Sequence, residues 1–252
     1  MPGFSSSRGV KHAYALTVRA ERVLRELDTL LPKVEGLVRG EEFDPTRSQE
    51  RFRLALTDNG ATILLPSLVP ILRRTAPGVT LVVSDLRPDT YEDVAAGRID
   101  TALSPEEVPR ELESELIFDL DVVCLVGSAF TLGTRRFTLK QYLQLPHAVV
   151  ETRAGRSLID RSLAQLGLKR TVVFSIPFFV PAIYAIAHSA FLTVARRLIK
   201  STGRISGVRV VEPPRELEVF PYFITWHPRL TSEPAHAWFR EHHKRCAYKA
   251  FR

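Results

Sequence analysis

Cysteine, methionine and tryptophan are scarce in this sequence of 252 residues, which contains two, one and two of them. The two cysteines, Cys124 and Cys246, are far apart in the chain and lie in unrelated surroundings. This usage predicts two free thiols rather than a disulfide framework or a zinc site.

Long apolar runs are also absent, although 45% of the residues are hydrophobic. No uninterrupted apolar stretch approaches the roughly 20 residues that a membrane-spanning helix needs. The first eight residues lack the charged-then-apolar layout of a secretory signal peptide. We therefore expect a globular, cytoplasmic protein that has no membrane partner.

Signature motifs of several enzyme classes are missing as well. The sequence contains no G-x-S-x-G, no G-x-x-x-x-G-K-[ST], no G-x-G-x-x-G and no H-E-x-x-H. His236, His242 and His243 share one segment, but Lys244 and Arg245 beside them repel cations, which favours a solvated helix face over a metal site. The sequence therefore predicts no enzyme, no catalytic residue, no cofactor and no metal.

Positive charge is concentrated at the two ends. The formal net charge is +7, and residues 1–25 and 240–252 carry +4 each, so the residues between them sum to −1. A basic segment suits a phosphate backbone, whereas a near-neutral one does not. We expect most of the chain to bind something other than nucleic acid.

A heptad pattern occupies the N-terminal segment. Apolar residues recur at spacings of four and three with charged residues between them, which is typical of a helix paired with another helix. Pro32 predicts a bend, and the polar segment 39–50 resembles a linker. An amphipathic helix that lies on its own domain is the alternative. The predicted dimerisation stripe consists of Leu16, Ala20, Val23, Leu27, Leu30, Val34 and Leu37.

From residue 52 onward, strand and helix patterns alternate. Strands are expected over 52–57, 79–84, 101–103, 116–126, 147–151, 171–175, 208–211 and 222–226, and helices over 61–75, 90–96, 138–145, 158–166, 180–188 and 233–248. This rhythm predicts right-handed crossovers and parallel sheets. Two successive units of this kind predict an α/β protein with two lobes and a ligand crevice between them.

Three loops that run from a strand end into a helix start are candidate ligand sites: 57–62, 152–157 and 176–179. Backbone N–H groups at a helix N-terminus have no partner within the helix and can bind an anion. Hydroxyls, an amide, positive charge and aromatic surface in these loops suit an aromatic or carboxylated small molecule. Helix capping explains Thr57, Thr62 or Ser157 equally well.

Several ordered segments resemble the LysR-type transcriptional regulators. Residues 52–66 and 73–79 are similar to the opening of the family's effector-binding domain, and residues 96–103 resemble its G-x-x-D-x-A-I segment. Residues 226–229 and 234–240 resemble the branch that senses aromatic inducers such as salicylate or flavonoids. Together these segments cover nearly the whole chain.

The resemblance implies a fold class and a division of the chain. The implied fold is α/β, a two-lobed effector domain like the type 2 periplasmic binding proteins, preceded by a long dimerisation and linker helix. Residues 4–17 look like the end of a winged helix-turn-helix domain, most of which we expect to lie outside this chain. The expected division is 1–17 for the wing remnant, 18–50 for the linker helix and hinge, 51–123 with 225–252 for lobe I, and 124–224 for lobe II.

The resemblance also implies an effector site. Thr57 and Asn59 match positions where the family's first strand–helix loop contacts effector, and Ser104 follows the third strand on the same rim. Thr57 stands where serine is most common and keeps the hydroxyl, whereas Ser104 stands where glycine is frequent. The predicted effector-binding residues are Thr57, Asp58, Asn59, Thr62, Ser104, Thr152, Arg153, Ser157 and Phe178.

The implied function is ligand sensing for the control of transcription. A small aromatic or carboxylate effector binds between the lobes, the chain pairs with itself as a homodimer or homotetramer, and promoter DNA is contacted only through the missing N-terminal domain. The effector acts through its different affinities for two states. A periplasmic-type solute-binding protein and an α/β enzyme are the alternatives, disfavoured by the heptad helix, the missing signal peptide and the missing motifs.

Overall fold

A computed structural model describes residues 43–105, 107–130, 136–151, 157–187, 190–203, 205–217 and 219–251, with eight further residues between Thr17 and Leu31. The chain divides into two compact units, residues 1–43 and 44–252. In the first unit the described residues from Arg19 to Leu31 are helical. Four residues of the predicted stripe lie outside the described residues, namely Leu16, Leu30, Val34 and Leu37.

The described part of the second unit contains nine strands and seven α-helices. The strands are β1 (Arg51–Ala55), β2 (Thr80–Ser84), β3 (Thr101–Ser104), β4 (Glu113–Gly127), β5 (Pro146–Val150), β6 (Thr171–Ile176), β7 (Phe191–Ala195), β8 (Val208–Val211) and β9 (Val219–Trp226). The helices are α1 (Asp58–Thr75), α2 (Thr90–Ala95), α3 (Leu139–Leu143), α4 (Leu158–Gln165), α5 (Phe179–Ala185), α6 (Arg196–Thr202) and α7 (Pro234–Phe251). No helix among the described residues is both long enough and apolar enough to cross a membrane.

The strands form two sheets that share β4. In the first sheet the order is β2-β1-β3-β9-β4, with β1 parallel to β2 and β3, and β9 antiparallel to β3 and β4. In the second sheet β4 pairs with β7 and β8, and β5 lies between β7 and β6. The 15-residue strand β4 therefore joins two lobes, and the predicted two-lobed α/β fold is confirmed.

The change from one sheet to the other falls within β4. This strand pairs with β9 as far as Asp121 and with β7 from Val122 onward. Strand β9 pairs with β3 and β4 of the first sheet, and this pairing begins at Val219. The sequence placed the lobe boundaries after residues 123 and 224, close to the transition in β4 and within β9. This division of the chain into lobes stays a prediction.

Most predicted elements occur near their predicted bounds, and two differences have clear causes. Helix α1 begins at Asp58 rather than at residue 61 because the Thr57 hydroxyl caps it, accepting a hydrogen bond from the Gly60 N–H at 3.2 Å. The segment 190–202, for which no element was predicted, contains β7 and α6. All five residues of β7 are buried, so the strand lacks the alternation of a half-exposed one.

The segment that resembles the G-x-x-D-x-A-I motif connects two strands of the first sheet, β1 and β3. Gly97 ends the turn after α2 with φ of +72°, the left-handed region that glycine adopts most easily. The buried Asp100 carboxylate accepts hydrogen bonds from the Arg53 backbone N–H at 2.7 Å and from the Arg53 guanidinium. These bonds connect the loop before β3 to β1.

The prediction of a solvated face for the C-terminal histidines is wrong for His243. This side chain is fully buried because α7 packs against α1, and its ring centroid lies 5.9 Å from that of Phe239. The His236 ring meets Phe52 edge-on at 5.5 Å. Among the described residues no group of three or more His, Cys, Asp or Glu side chains is placed to hold a metal ion.

Candidate functional site

A cleft with an empty volume of about 680 Å³, part of it open to solvent, lies where the two sheets meet. Strand ends and helix starts of both lobes contribute to its wall. Its polar lining residues are Thr57, Asn59, Ser157, Thr193 and Tyr222, and its other lining residues, among them Leu120, Val150, Phe179 and Phe220, are apolar.

The start of α1 brings two of the predicted residues to the cleft. Thr57 is the N-cap of this helix, and Asn59 lies in its first turn. The Asn59 side chain is buried, and its Oδ1 has no hydrogen-bond partner among the described residues. An unsatisfied buried amide oxygen is costly, so a ligand that donates a hydrogen bond here would be favoured.

Asp58 and Thr62 lie on the same helix but do not line the cleft. The Asp58 carboxylate instead reaches the second lobe, where Oδ1 accepts from the Phe179 N–H at 3.1 Å and Oδ2 from the Val180 N–H at 3.0 Å. The Thr62 hydroxyl donates to the Asp58 carbonyl oxygen at 2.8 Å. Asp58 thus joins the start of α1 to the start of α5.

The remaining five predicted residues differ in their position relative to the cleft. Ser157 lines the cleft directly before α4, and Ser104 is buried at the end of β3, next to the lining residue Pro105. Phe178 is 46% exposed, and the aromatic surface of its loop reaches the cleft through Phe179 instead. The other two, Thr152 and Arg153, lie outside the described residues.

A buried polar network lies behind the second-lobe wall and is centred on Arg170, whose side chain is 2% exposed. Its Nε and Nη2 donate to the Asp160 carboxylate at 2.8 and 3.0 Å, and Nη2 also donates to Ser157 Oγ at 3.3 Å. Its Nη1 donates to Tyr142 Oη at 2.8 Å. Tyr142 Oη in turn lies 2.8 Å from Thr193 Oγ1. Two members of this network, Ser157 and Thr193, line the cleft.

Burial keeps the other titratable groups of this region neutral. It raises the pKa of the Cys124 thiol to about 12 and the pKa of the Tyr142 phenol well above its ordinary value. The His147 imidazole, with Nε2 2.7 Å from the Tyr142 carbonyl oxygen, has its pKa lowered by burial to about 4. The second-lobe wall therefore presents neutral hydroxyls, backed by one ion pair.

Thr193 and Tyr222 line the cleft but were not predicted, and in the candidate loop 176–179 it is Phe179 rather than the predicted Phe178 that lines it. The apolar run 190–195, interrupted only by Thr193, is a signal of a buried strand and would have indicated a hydroxyl on it. No local pattern indicates the contacts among Tyr142, Arg170 and Thr193, because these residues belong to separate elements.

Comparison with known proteins gives consistent matches. The family described as the LysR substrate binding domain matches residues 45–246. The HTH-type transcriptional activator NagR from Ralstonia sp is 30% identical over 244 residues, which cover 94% of this chain and 79% of NagR.

Solved structures agree with these matches. A probable transcriptional regulator from Pseudomonas aeruginosa has a TM-score of 0.73 and 30% identity, covering 90% of this chain and 77% of that one. The regulatory domain of MexT, a transcriptional activator in the same organism, has a TM-score of 0.67 and 26% identity, covering 79% of this chain and 98% of that one.

The chain therefore belongs to the LysR family of transcriptional regulators, and the resemblance inferred from its sequence is confirmed. Its described second unit is the family's effector-binding domain, which senses a ligand for the control of transcription. The relatives it matches are transcriptional regulators rather than enzymes.

Proposed function

We propose that the cleft binds a small aromatic molecule that carries one carboxylate or hydroxyl group. The observation that carries this proposal is the pairing of an apolar wall with two helix starts, Thr57 before α1 and Ser157 before α4, from opposite lobes. Helix N-termini offer unpaired N–H groups and favour negative charge. The rings of Phe179, Phe220 and Tyr222 supply surface for an aromatic ring.

The charge of the lining supports the same ligand class. Among the described lining residues there is no Asp, Glu, Lys, Arg or His. A polyanion would have no counter-charge in this wall, whereas a single carboxylate can be stabilised by hydroxyls and backbone N–H groups. In the assembled regulator, effector binding then shifts the lobe arrangement through its different affinities for two states, and DNA binding follows.

Benzoate and 2-hydroxybenzoate are expected to stabilise the chain in thermal unfolding, whereas acetate is not. At a ligand concentration 100 times its Kd, the expected stabilisation is about 2.7 kcal/mol.

Calorimetry should show affinity for benzoate about tenfold lower in Thr57→Val, because a charge-assisted hydrogen bond is lost. The matched variant Thr57→Ser keeps the hydroxyl and should bind like the wild type.

A second pair of variants distinguishes two neighbouring rings. Phe179→Ala should weaken benzoate binding, because Phe179 lines the cleft, whereas the exposed Phe178 should tolerate alanine with at most a twofold change. The reverse result would restore Phe178 as the contact residue. If no aromatic carboxylate or phenol stabilises the folded chain, the proposed ligand class is wrong.

We also propose that the N-terminal helix pairs with a second copy of the chain. Its described apolar residues Val23, Leu24, Leu27 and Leu31 are 42–52% exposed. Exposed apolar residues at spacings of three and four are typical of a helix seam. The sequence pattern extends this stripe in both directions beyond them.

The double variant Val23→Glu, Leu27→Glu is expected to reduce the mass of the particle, because charges in a seam oppose pairing. Size-exclusion chromatography with light scattering should give at least twice the mass of one chain for the wild type and a smaller particle for the variant. Leu166→Glu, at an equally exposed apolar site in the other unit, is the control and should not change the mass. A wild type that is monomeric at micromolar concentration would contradict the proposal.

A further inference from the structure

We propose that Arg170 is a positioning residue that orients the hydroxyls of Ser157 and Thr193 as hydrogen-bond donors into the cleft, so that the second-lobe wall selects a ligand acceptor group, a carboxylate above all. The inference rests on the proposed function of the cleft and specifies which ligand group this wall recognises. It depends on the direction of each hydrogen bond in the buried network.

Arg170 fixes the first direction because a guanidinium has five N–H donors and no acceptor. Both Ser157 Oγ and Tyr142 Oη must therefore accept from it. Ser157 Oγ accepts no capping bond at the start of α4, and no acceptor for its own proton is found among the described residues. That proton is available to a group in the cleft, which Ser157 lines.

The Tyr142 hydroxyl donates the next hydrogen bond, to Thr193. Its hydroxyl keeps its single proton because burial raises the pKa of the phenol. Tyr142 Oη accepts from Arg170, and among the described residues Thr193 Oγ1, 2.8 Å away, is the acceptor within reach of the phenol proton, so this proton is directed there. Thr193 Oγ1 is therefore an acceptor on its buried side.

The remaining neighbour of Thr193 Oγ1 does not compete for its proton. Cys124 Sγ lies 3.7 Å away, and a protonated thiol is a weak acceptor that can itself donate. With Tyr142 and Cys124 on the buried side, the Thr193 proton is directed to the cleft. Two hydroxyl donors in one wall suit a ligand oxygen with lone pairs and disfavour an ammonium group.

Asp160 explains why the wall selects by hydrogen bonding rather than by charge. Its two carboxylate oxygens accept from Arg170 Nε and Nη2, so the guanidinium is paired within the protein. A ligand carboxylate thus meets oriented hydroxyls and not a free cation. The role of Arg170 is to hold these hydroxyls and not to contact the ligand.

The test compares benzoate with toluene, which has a ring of the same size and no acceptor, by calorimetry on the full chain. Thr193→Val is expected to lower benzoate affinity about tenfold and toluene affinity by no more than twofold. Thr193→Ser should restore benzoate binding. Tyr142→Phe leaves the Thr193 hydroxyl in place but removes its donor, so the ratio of benzoate to toluene affinity should fall several-fold.

An unchanged affinity ratio in folded Tyr142→Phe would overturn the positioning role. Should that variant not fold, the Thr193 pair decides, because serine must rescue the ratio that valine lowers. If Thr193→Val lowers the affinities for benzoate and toluene equally, the side chain contributes to the shape of the cleft and not through its hydroxyl. This result would also overturn the inference. If neither ligand binds the wild type, the proposed function fails and this inference fails with it, whereas binding with an unchanged ratio overturns the inference alone.

Discussion

Lowering the pH from 7 to 4.5 is expected to reduce the free energy of unfolding by about 5 kcal/mol through His147 and His243. Both imidazoles are fully buried, and burial lowers the pKa of each to about 4, against about 6.5 in an unfolded chain. Between these values the unfolded chain binds protons that the folded chain does not. Stability is therefore complete above pH 6.5 and is lost as the pH falls toward 4. Urea unfolding at a series of pH values measures this dependence.

The variant His243→Leu separates the two contributions. Neither ring nitrogen of His243 has a hydrogen-bond partner among the described residues, so leucine at this site should be neutral or stabilising at pH 7. It should also remove about half of the acid effect. The same acid dependence in wild type and His243→Leu would show that this buried imidazole is not a source of it.

Asp160→Ala is expected to lower the free energy of unfolding by about 3 kcal/mol, because it leaves the buried Arg170 guanidinium without its counter-charge. Alanine removes both charge-assisted hydrogen bonds that this carboxylate accepts. Urea unfolding at pH 7, where protonation of the buried histidines contributes little to the free energy of unfolding, measures the change. The prediction concerns stability, so it holds whatever ligand the cleft binds.

The control removes the same charge from an exposed site. Asp119 lies on β4 with its side chain exposed, and Asp119→Ala should change stability by no more than about 0.5 kcal/mol. Asp160→Asn keeps one acceptor and should fall between the two. Equal stabilities for Asp160→Ala and Asp119→Ala would mean that water entering beside Arg170 replaces the carboxylate fully.

The sequence predicted the fold from patterns that depend on neighbours in the chain. Period-two alternation and helical apolar spacing located β1 and α1, because each presents one face to the core. Strand β7 was not predicted because both of its faces are buried, so its sequence lacks the alternation of apolar and polar residues. His243 was misinterpreted from the charges beside it, although Phe239, His243 and Ala247 recur at a spacing of four and are all buried.

The candidate site was predictable to the extent that helix caps define it. Thr57, Asn59 and Ser157 line the cleft because they lie where a strand runs into a helix, a position that the sequence reveals. Thr193 and the Arg170 network depend on contacts between distant elements, which a single sequence does not encode locally. The effector-binding roles of all these residues stay predictions.

The carboxylate of Asp58 holds the two lobes at one point through the N–H groups of Phe179 and Val180. While those bonds persist, and because β4 also joins both lobes, one lobe can turn relative to the other only about the line from Asp58 to β4, so displacement grows with distance from that line. A compact effector seated beside Thr57 and Phe179 would change the angle between the lobes little, whereas a longer one would change it more. Response strength would then follow ligand length as well as occupancy.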